Sequence, residues 1–383
     1  MKNNVLMPIN YLRVLGLGGL VVAFYIIPQG FLAYLHAGDP MFTFEHLKSL
    51  FSSQDMLFEK GLVALSSIGV IYYAFEHFKL LFNFTKKSIK NKTTIFEKTL
   101  GNNLEVTRFA QPLALAMSVN VMFIVGAMFI PGLSEIFEYL FPLALIALLA
   151  IGVWQMKLLT SVIKTMLDPK SLFDYSKNNS FATLLIPFSL AMTSVGLAAP
   201  AAMSNILTIQ GVSYIASSFF GLLAVVIAFI FTVSSISRIS IAGEFDVKAG
   251  ATSLIMIPII TILSITFARV QHSFIHLDPK SLFFIISTFL MIQIIILTLG
   301  LIYMRATNYL EKEVESNSND NPSVYGLICP GVALSVLLGF IVMFGLKSGI
   351  FAVGEPIWFL FFGTFIVTLT ATIKTLNKLN SKY

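Results

Sequence analysis

Ten apolar stretches, each roughly the length of a membrane crossing, constrain this 383-residue chain more than any other feature. They read as 8–28, 58–80, 108–131, 136–163, 181–203, 211–236, 252–269, 281–305, 324–346 and 354–375. About 20 helical residues cross a hydrocarbon layer of about 30 Å. A membrane β-barrel would instead show segments of about 10 residues with strict apolar/polar alternation, and the stretches here are continuously apolar. Charged residues make up 11% of the chain and hydrophobic ones 56%, whereas a soluble domain carries about a quarter charged residues. The expected fold is an all-α integral membrane protein, one transmembrane domain over 1–383. The N-terminal run MKNNVLMPINYLRVLGLGG lacks a small-residue cleavage site, so it reads as the first span and not as a removable signal.

Spans 3 and 4, 5 and 6, and 9 and 10 are joined by short links such as PGLSE, which predicts antiparallel neighbours. The link at 29–57 is long and aromatic, and a short interfacial helix is expected there. Cations choose the orientation. Lys86, Lys87, Lys90, Lys92 and Lys98 follow span 2, and later links on that side carry Lys164, Lys170, Lys177, Arg238, Lys248, Arg305 and Lys312. The other side is poorer, with Lys48, Lys60, Arg269, Lys280 and Lys347, so both termini are predicted to be cytoplasmic. The polar stretch 309–322 reads as a flexible cytoplasmic loop.

An internal repeat organises the spans. Pro112, Pro187, Pro258 and Pro330 each stand near the start of an odd-numbered span, and each is followed by a hydroxyl: Ser118, Thr193, Ser264 and Ser335. The prolines recur at 75, 71 and 72 residues, one helical hairpin apart, and span 1 holds a weaker copy with Pro8 and Arg13. A fixed period implies repeated structure. It predicts five hairpins (8–80, 108–163, 181–236, 252–305 and 324–375) in a quasi-five-fold arrangement around a central pore. The odd spans, richer in Pro, Gly, Ser, Thr and Ala, suit an inner ring kinked at proline. The even spans are bulkier and suit lipid contact. For a single proline, close helix packing is explanation enough; four in phase with a hydroxyl point to a lining.

From MPINYLRVLGLGGL in span 1 to IVTLTATIKTLNKL in span 10, the pattern resembles the tellurite-resistance/dicarboxylate transporter family. That family includes TehA-type bacterial proteins, fungal malate and sulfite transporters, and plant slow anion channels. The resemblance implies ten spans, a pore lined by odd helices in each protomer, a homotrimer, and a bacterial inner (plasma) membrane location. It also implies a plugging phenylalanine in span 9. Here that position falls on Cys329, a departure, and Phe188 of span 5 is the alternative gate.

Other candidates carry two readings each. Arg13 lies inside the first span, where a charge is costly; it either attracts anions at the cytoplasmic mouth or snorkels to the headgroups. Cys329, the one cysteine, is either a gate thiol or a small buried hydrophobe. Glu76, His77 and Lys79 could join Glu105 and Arg108 in a buried ion-pair network of structural kind. His272 and His276 have helical zinc spacing but no third ligand beyond Asp278, so no metal is expected. Without a P-loop, serine elbow or HExxH, neither an enzyme nor a cofactor is indicated. Three functions remain: a channel or facilitator for small anions, a proton-coupled carrier of a small acid such as sulfite or a dicarboxylate, and a non-transporting sensor subunit.

Overall fold

The computed structural model describes residues 6–174, 179–243, 245–274, 277–315 and 321–381. Within them the chain is an all-α, multi-pass membrane protein with ten helices long and apolar enough to cross a bilayer. In chain order the helices are α1 (Tyr11–Ile26), α2 (Phe44–Ser52), α3 (Leu57–Lys90), α4 (Lys92–Thr99), α5 (Ala110–Phe129) and α6 (Phe137–Leu167). They continue as α7 (Leu185–Met203), α8 (Leu207–Ala242), α9 (Met256–Phe274), α10 (Pro279–Ala306), α11 (Ile328–Lys347) and α12 (Pro356–Asn380). The short α2 occupies the long first link, and α4 follows the lysine-rich end of α3.

Burial divides the spans into two sets. In the spans containing α1, α5, α7, α9 and α11, between 61% and 94% of the most apolar window is buried by protein. In those containing α3, α6, α8, α10 and α12 the share is only 22% to 33%. Large apolar side chains such as Phe229, Ile295 and Val367 stand exposed on this second set. So much exposed apolar surface suits contact with acyl chains and not with water.

The inner helices pack in a fixed sequence: α1 on α5, α5 on α7, α7 on α9, α9 on α11, and α11 on α1. Outer helices sit over the seams. α3 packs on α1 and α5, α6 on α5 and α7, α8 on α7 and α9, and α10 on α9 and α11. Trp358 of α12 reaches back to the π-helical turn Ile27–Phe31 that follows α1, donating its indole N–H to the Phe31 carbonyl at 3.1 Å. Small residues permit the closest inner approaches. A Cβ placed on Gly30 would stand 2.5 Å from the Gly339 carbonyl oxygen, a backbone atom that cannot move aside.

The repeat prolines do not kink helices. Each is the third residue of its α-helix: Pro112 in α5, Pro187 in α7, Pro258 in α9 and Pro330 in α11. In the first turn an N–H has no carbonyl to meet within the α-helix, so proline costs little there. A 3-10 segment precedes every inner helix: Pro8–Asn10, Asn103–Phe109, Ala182–Leu184, Val247–Leu254 and Pro322–Leu327. The prolines mark the change from 3-10 to α geometry. In α1 the same third position is held by Arg13. These lead-in segments also pack on one another in the order of their helices, the last against the first. The five inner helices therefore run parallel, with their N-terminal ends gathered.

The first part of the 309–322 linker departs from the expected flexible loop. Leu310–Glu315 forms a π-helical turn, Tyr309 has no exposed surface, and Glu313 accepts a hydrogen bond from Asn321 at 3.0 Å. Residues 316–320 lie outside the described chain.

Candidate pore cavity

A cavity of about 1530 Å³ runs among the inner helices, and every one of the five contributes to its wall. The contributions are helical stripes. α9 supplies Pro258, Ile262, Ile265 and Arg269; α11 supplies Cys329, Val332, Val336, Phe340 and Met343. Steps of three and four residues keep one helix face toward the space. At the lead-in end the wall is formed by Leu15, Met117, Phe188, Pro258 and Cys329. Beyond that level the lead-ins carry buried Val106, Phe109, Leu184, Leu254 and Val324, none of which lines the cavity. At the opposite end Asp39, Glu45, His46, Glu135, Glu138, Asn205 and Lys347 rim a polar mouth.

The two gate candidates both lie in the wall. Cys329 is 8% exposed and Phe188 is 3% exposed, and each adjoins a repeat proline at the lead-in end. Of the four prolines only Pro258 touches the cavity; Pro112, Pro187 and Pro330 do not. The repeat hydroxyls are a correction as well, for none of the four lines the space. Ser118 bonds His77 of α3, Thr193 donates to Gln155 Oε1 of α6 at 3.0 Å, and Ser264 and Ser335 donate to carbonyls one turn back, at Ile260 and Gly331. The physical reason is satisfaction. A buried hydroxyl needs a partner: Ser118, Ser264 and Ser335 donate to a carbonyl one turn back on their own helices, while Gln155 for Thr193 and His77 beside Ser118 come from the seams between the rings.

Those seams share a device that the sequence does not advertise. His77, Gln155 and Gln293 of three outer helices have no exposed surface. His77 Nδ1 donates to the Val14 carbonyl of α1 at 2.8 Å, while its Nε2 meets the Ser118 hydroxyl of α5 at 2.8 Å. Gln155 donates to the Ser189 carbonyl of α7 at 2.9 Å. Gln293 of α10 donates to Thr261 of α9 at 2.8 Å, and Thr261 donates onward to the Ala333 carbonyl of α11 at 3.2 Å.

The expected network of Glu76, His77, Lys79, Glu105 and Arg108 is not formed. Lys79 pairs with Glu76 at 2.9 Å on the surface. Glu105, buried, accepts from Thr165 at 2.7 Å and from Ser161, and stands 3.7 Å from Arg108. His77 serves the inner helices, as above. Arg13 is half-buried with its guanidinium over the Tyr325 ring, 5.2 Å from its centroid, and is not in the cavity wall. His276 and the side chain of His272 lie outside the described residues.

Two features of the wall escape the sequence. Arg269 reads as a loop cation, yet it is within α9, half-buried, lining the cavity and donating from Nη1 to the Val195 carbonyl at 3.0 Å. Only its helical phase with Pro258, Ile262 and Ile265 could have revealed it. The link after α1 also folds back into the mouth. Gln29 Oε1 accepts the Phe42 N–H at 2.7 Å, its amide donates to the Pro40 carbonyl at 3.1 Å, and Tyr25 donates to the Phe42 carbonyl at 2.8 Å. Beside them His36, 1% exposed, places its ring nitrogens 3.1 Å and 3.2 Å from the Gln29 and Asp39 carbonyls.

Compared with known proteins, the chain matches no protein-family model and no curated protein.

Proposed function

We propose that this chain is a membrane channel or facilitator that passes small anions through a pore lined by α1, α5, α7, α9 and α11. The observation that carries this is the cavity wall: all five inner helices contribute a stripe, and Arg269 is in it. Every acidic residue in that wall (Asp39, Glu45, Glu135, Glu138) belongs to the mouth, so an anion further in meets a cation and no carboxylate. The parallel inner helices add their dipoles, with the positive ends at the lead-in end. Passive permeation is favoured over proton coupling because titratable carboxylates stop at the rim.

The inner helices close on themselves pairwise, and an outer helix covers each seam; both support five hairpins in quasi-five-fold order. That architecture is the one implied by the resemblance to the tellurite-resistance/dicarboxylate transporter family, and with it come a homotrimer and a bacterial inner membrane. Lysine asymmetry supports cytoplasmic termini, which places the lead-in end of the pore at the cytoplasm. On this reading the pore closes at that end behind Cys329 and Phe188, both of which line the cavity. The chain acts as a conduit without cofactor or catalytic step.

Neighbouring residues of α11 give the test. Val336 lines the cavity and Ser335 does not. With Cys329 replaced by alanine, Val336→Cys should be blocked by a charged thiol reagent applied during anion flux, and Ser335→Cys should not. Equal block at both, or at neither, would remove the assigned wall.

A further inference from the structure

Polar groups gather at one level of the cavity, from three inner helices. Arg269 of α9 donates to the Val195 carbonyl of α7 at 3.0 Å. The next residue, Gly196, has no side chain, and a Cβ there would stand 3.5 Å from Asn120 Oδ1 of α5. Arg269 and Asn120 therefore flank the same turn of α7, and both line the cavity. Tyr25 of α1 also lines the cavity, its hydroxyl donating to the Phe42 carbonyl at 2.8 Å. Asn120 is half-buried, and its amide has the Met192 sulfur at 3.8 Å as partner, a weak acceptor that leaves the amide able to turn toward a ligand.

Within a bilayer an arginine is costly and commonly marks an ion path. Its chemistry is also more specific than charge. The guanidinium is a planar fork of N–H donors that pairs two oxygens side by side, whereas an ammonium is a point charge. A halide offers one round centre, so both N–H groups must converge on it and the match to the parallel fork is lost. An oxyanion with coplanar oxygens keeps that match, and the Asn120 amide stands nearby to take one of them.

We infer that Arg269 and Asn120 form the binding station of this cavity and that it selects small planar oxyanions, of the carboxylate or nitrate type, over halides. The inference rests on the anion-conduit function proposed above and adds to it a site and a ligand class.

Formate against chloride is the discriminating pair. Formate holds its water more tightly than chloride, so a pore that ranks anions by ease of dehydration prefers chloride. Reversal potentials in planar bilayers should instead show the wild type favouring formate. Arg269→Lys should keep anion conduction and lose or invert that preference, and Asn120→Leu should weaken it. Arg269→Gln should cut formate flux by about tenfold, the scale of one charge-assisted hydrogen bond. A wild type that prefers chloride, or an Arg269→Lys variant that keeps the formate preference, overturns the station and leaves the conduit standing. Melting of purified protein in formate and in chloride at equal ionic strength reads the site without flux. Formate should raise the wild-type melting temperature and not that of Arg269→Lys. If neither anion is conducted but this shift is present, the conduit fails and the site remains; if the shift is absent as well, both fail.

Discussion

At the scale of single residues, the same chemistry does different work according to the face it occupies. Cys329 and Ser335 are six residues apart on α11, yet one meets the cavity and the other bonds its own helix. Cys329→Phe should therefore fill the lead-in end and lower flux while the protein melts normally, and Cys329→Ala should keep or raise flux. Early melting of the phenylalanine variant would instead mark Cys329 as packing. His77 is held between two inner helices. His77→Ala removes the two bonds that tie α3 to α1 and α5, while Ser118 keeps the Ala114 carbonyl one turn back, and should cost about 1–3 kcal/mol of stability, read from denaturation in detergent. His36, outside the spans, is held below the ordinary imidazole range by burial, helped by the nearby charge of Lys347, against the pull of the two carbonyls. The folded chain thus binds fewer protons at this ring than the unfolded one. Its contribution is complete above about pH 6.5 and is lost as pH falls below that. Melting temperature should drop between pH 7 and pH 5 more in the wild type than in His36→Gln.

At the scale of elements, the contacts between inner helices depend on backbone proximity as much as on side chains. Gly30→Ala would press a methyl onto the Gly339 carbonyl and should destabilise by about 1–3 kcal/mol, with the turn Ile27–Phe31 after α1 and α11 as the elements forced apart. Melting of the purified variant reads this directly; an unchanged midpoint would mean that this turn and α11 have slack at that crossing. Span number, helix type and the inner/outer division are legible in the sequence because bulk hydropathy and small-residue content act over whole helices. The proline period is legible too, but its meaning is not. A proline at 112, 187, 258 or 330 reads as a kink unless the start of the α-helix is known, and the preceding 3-10 segments carry no pattern of their own. The hydroxyls mislead for a related reason. Ser118, Thr193 and Ser264 follow their prolines by six residues and Ser335 by five, and such spacing does not say whether a face looks inward or toward the neighbouring helix. Arg269 was hidden by the estimated end of its span, which stops at the charge itself.

For the whole molecule, the parallel inner helices, the buried lead-in segments and the polar mouth frame one cavity, the layout that the proposed conduit needs. Among the described residues, the acidic side chains of the cavity wall stay at the mouth. The central claim is passive anion permeation. Its most direct measurement is anion flux in proteoliposomes of purified protein, driven by an anion gradient at clamped voltage, with and without an imposed proton gradient. Flux above that of empty vesicles should follow the anion gradient and voltage alone and be unchanged by the proton gradient, while Cys329→Phe lowers it. Flux that appears only with a proton gradient would make the protein a coupled carrier, and no flux above empty vesicles under any of these conditions would contradict the account.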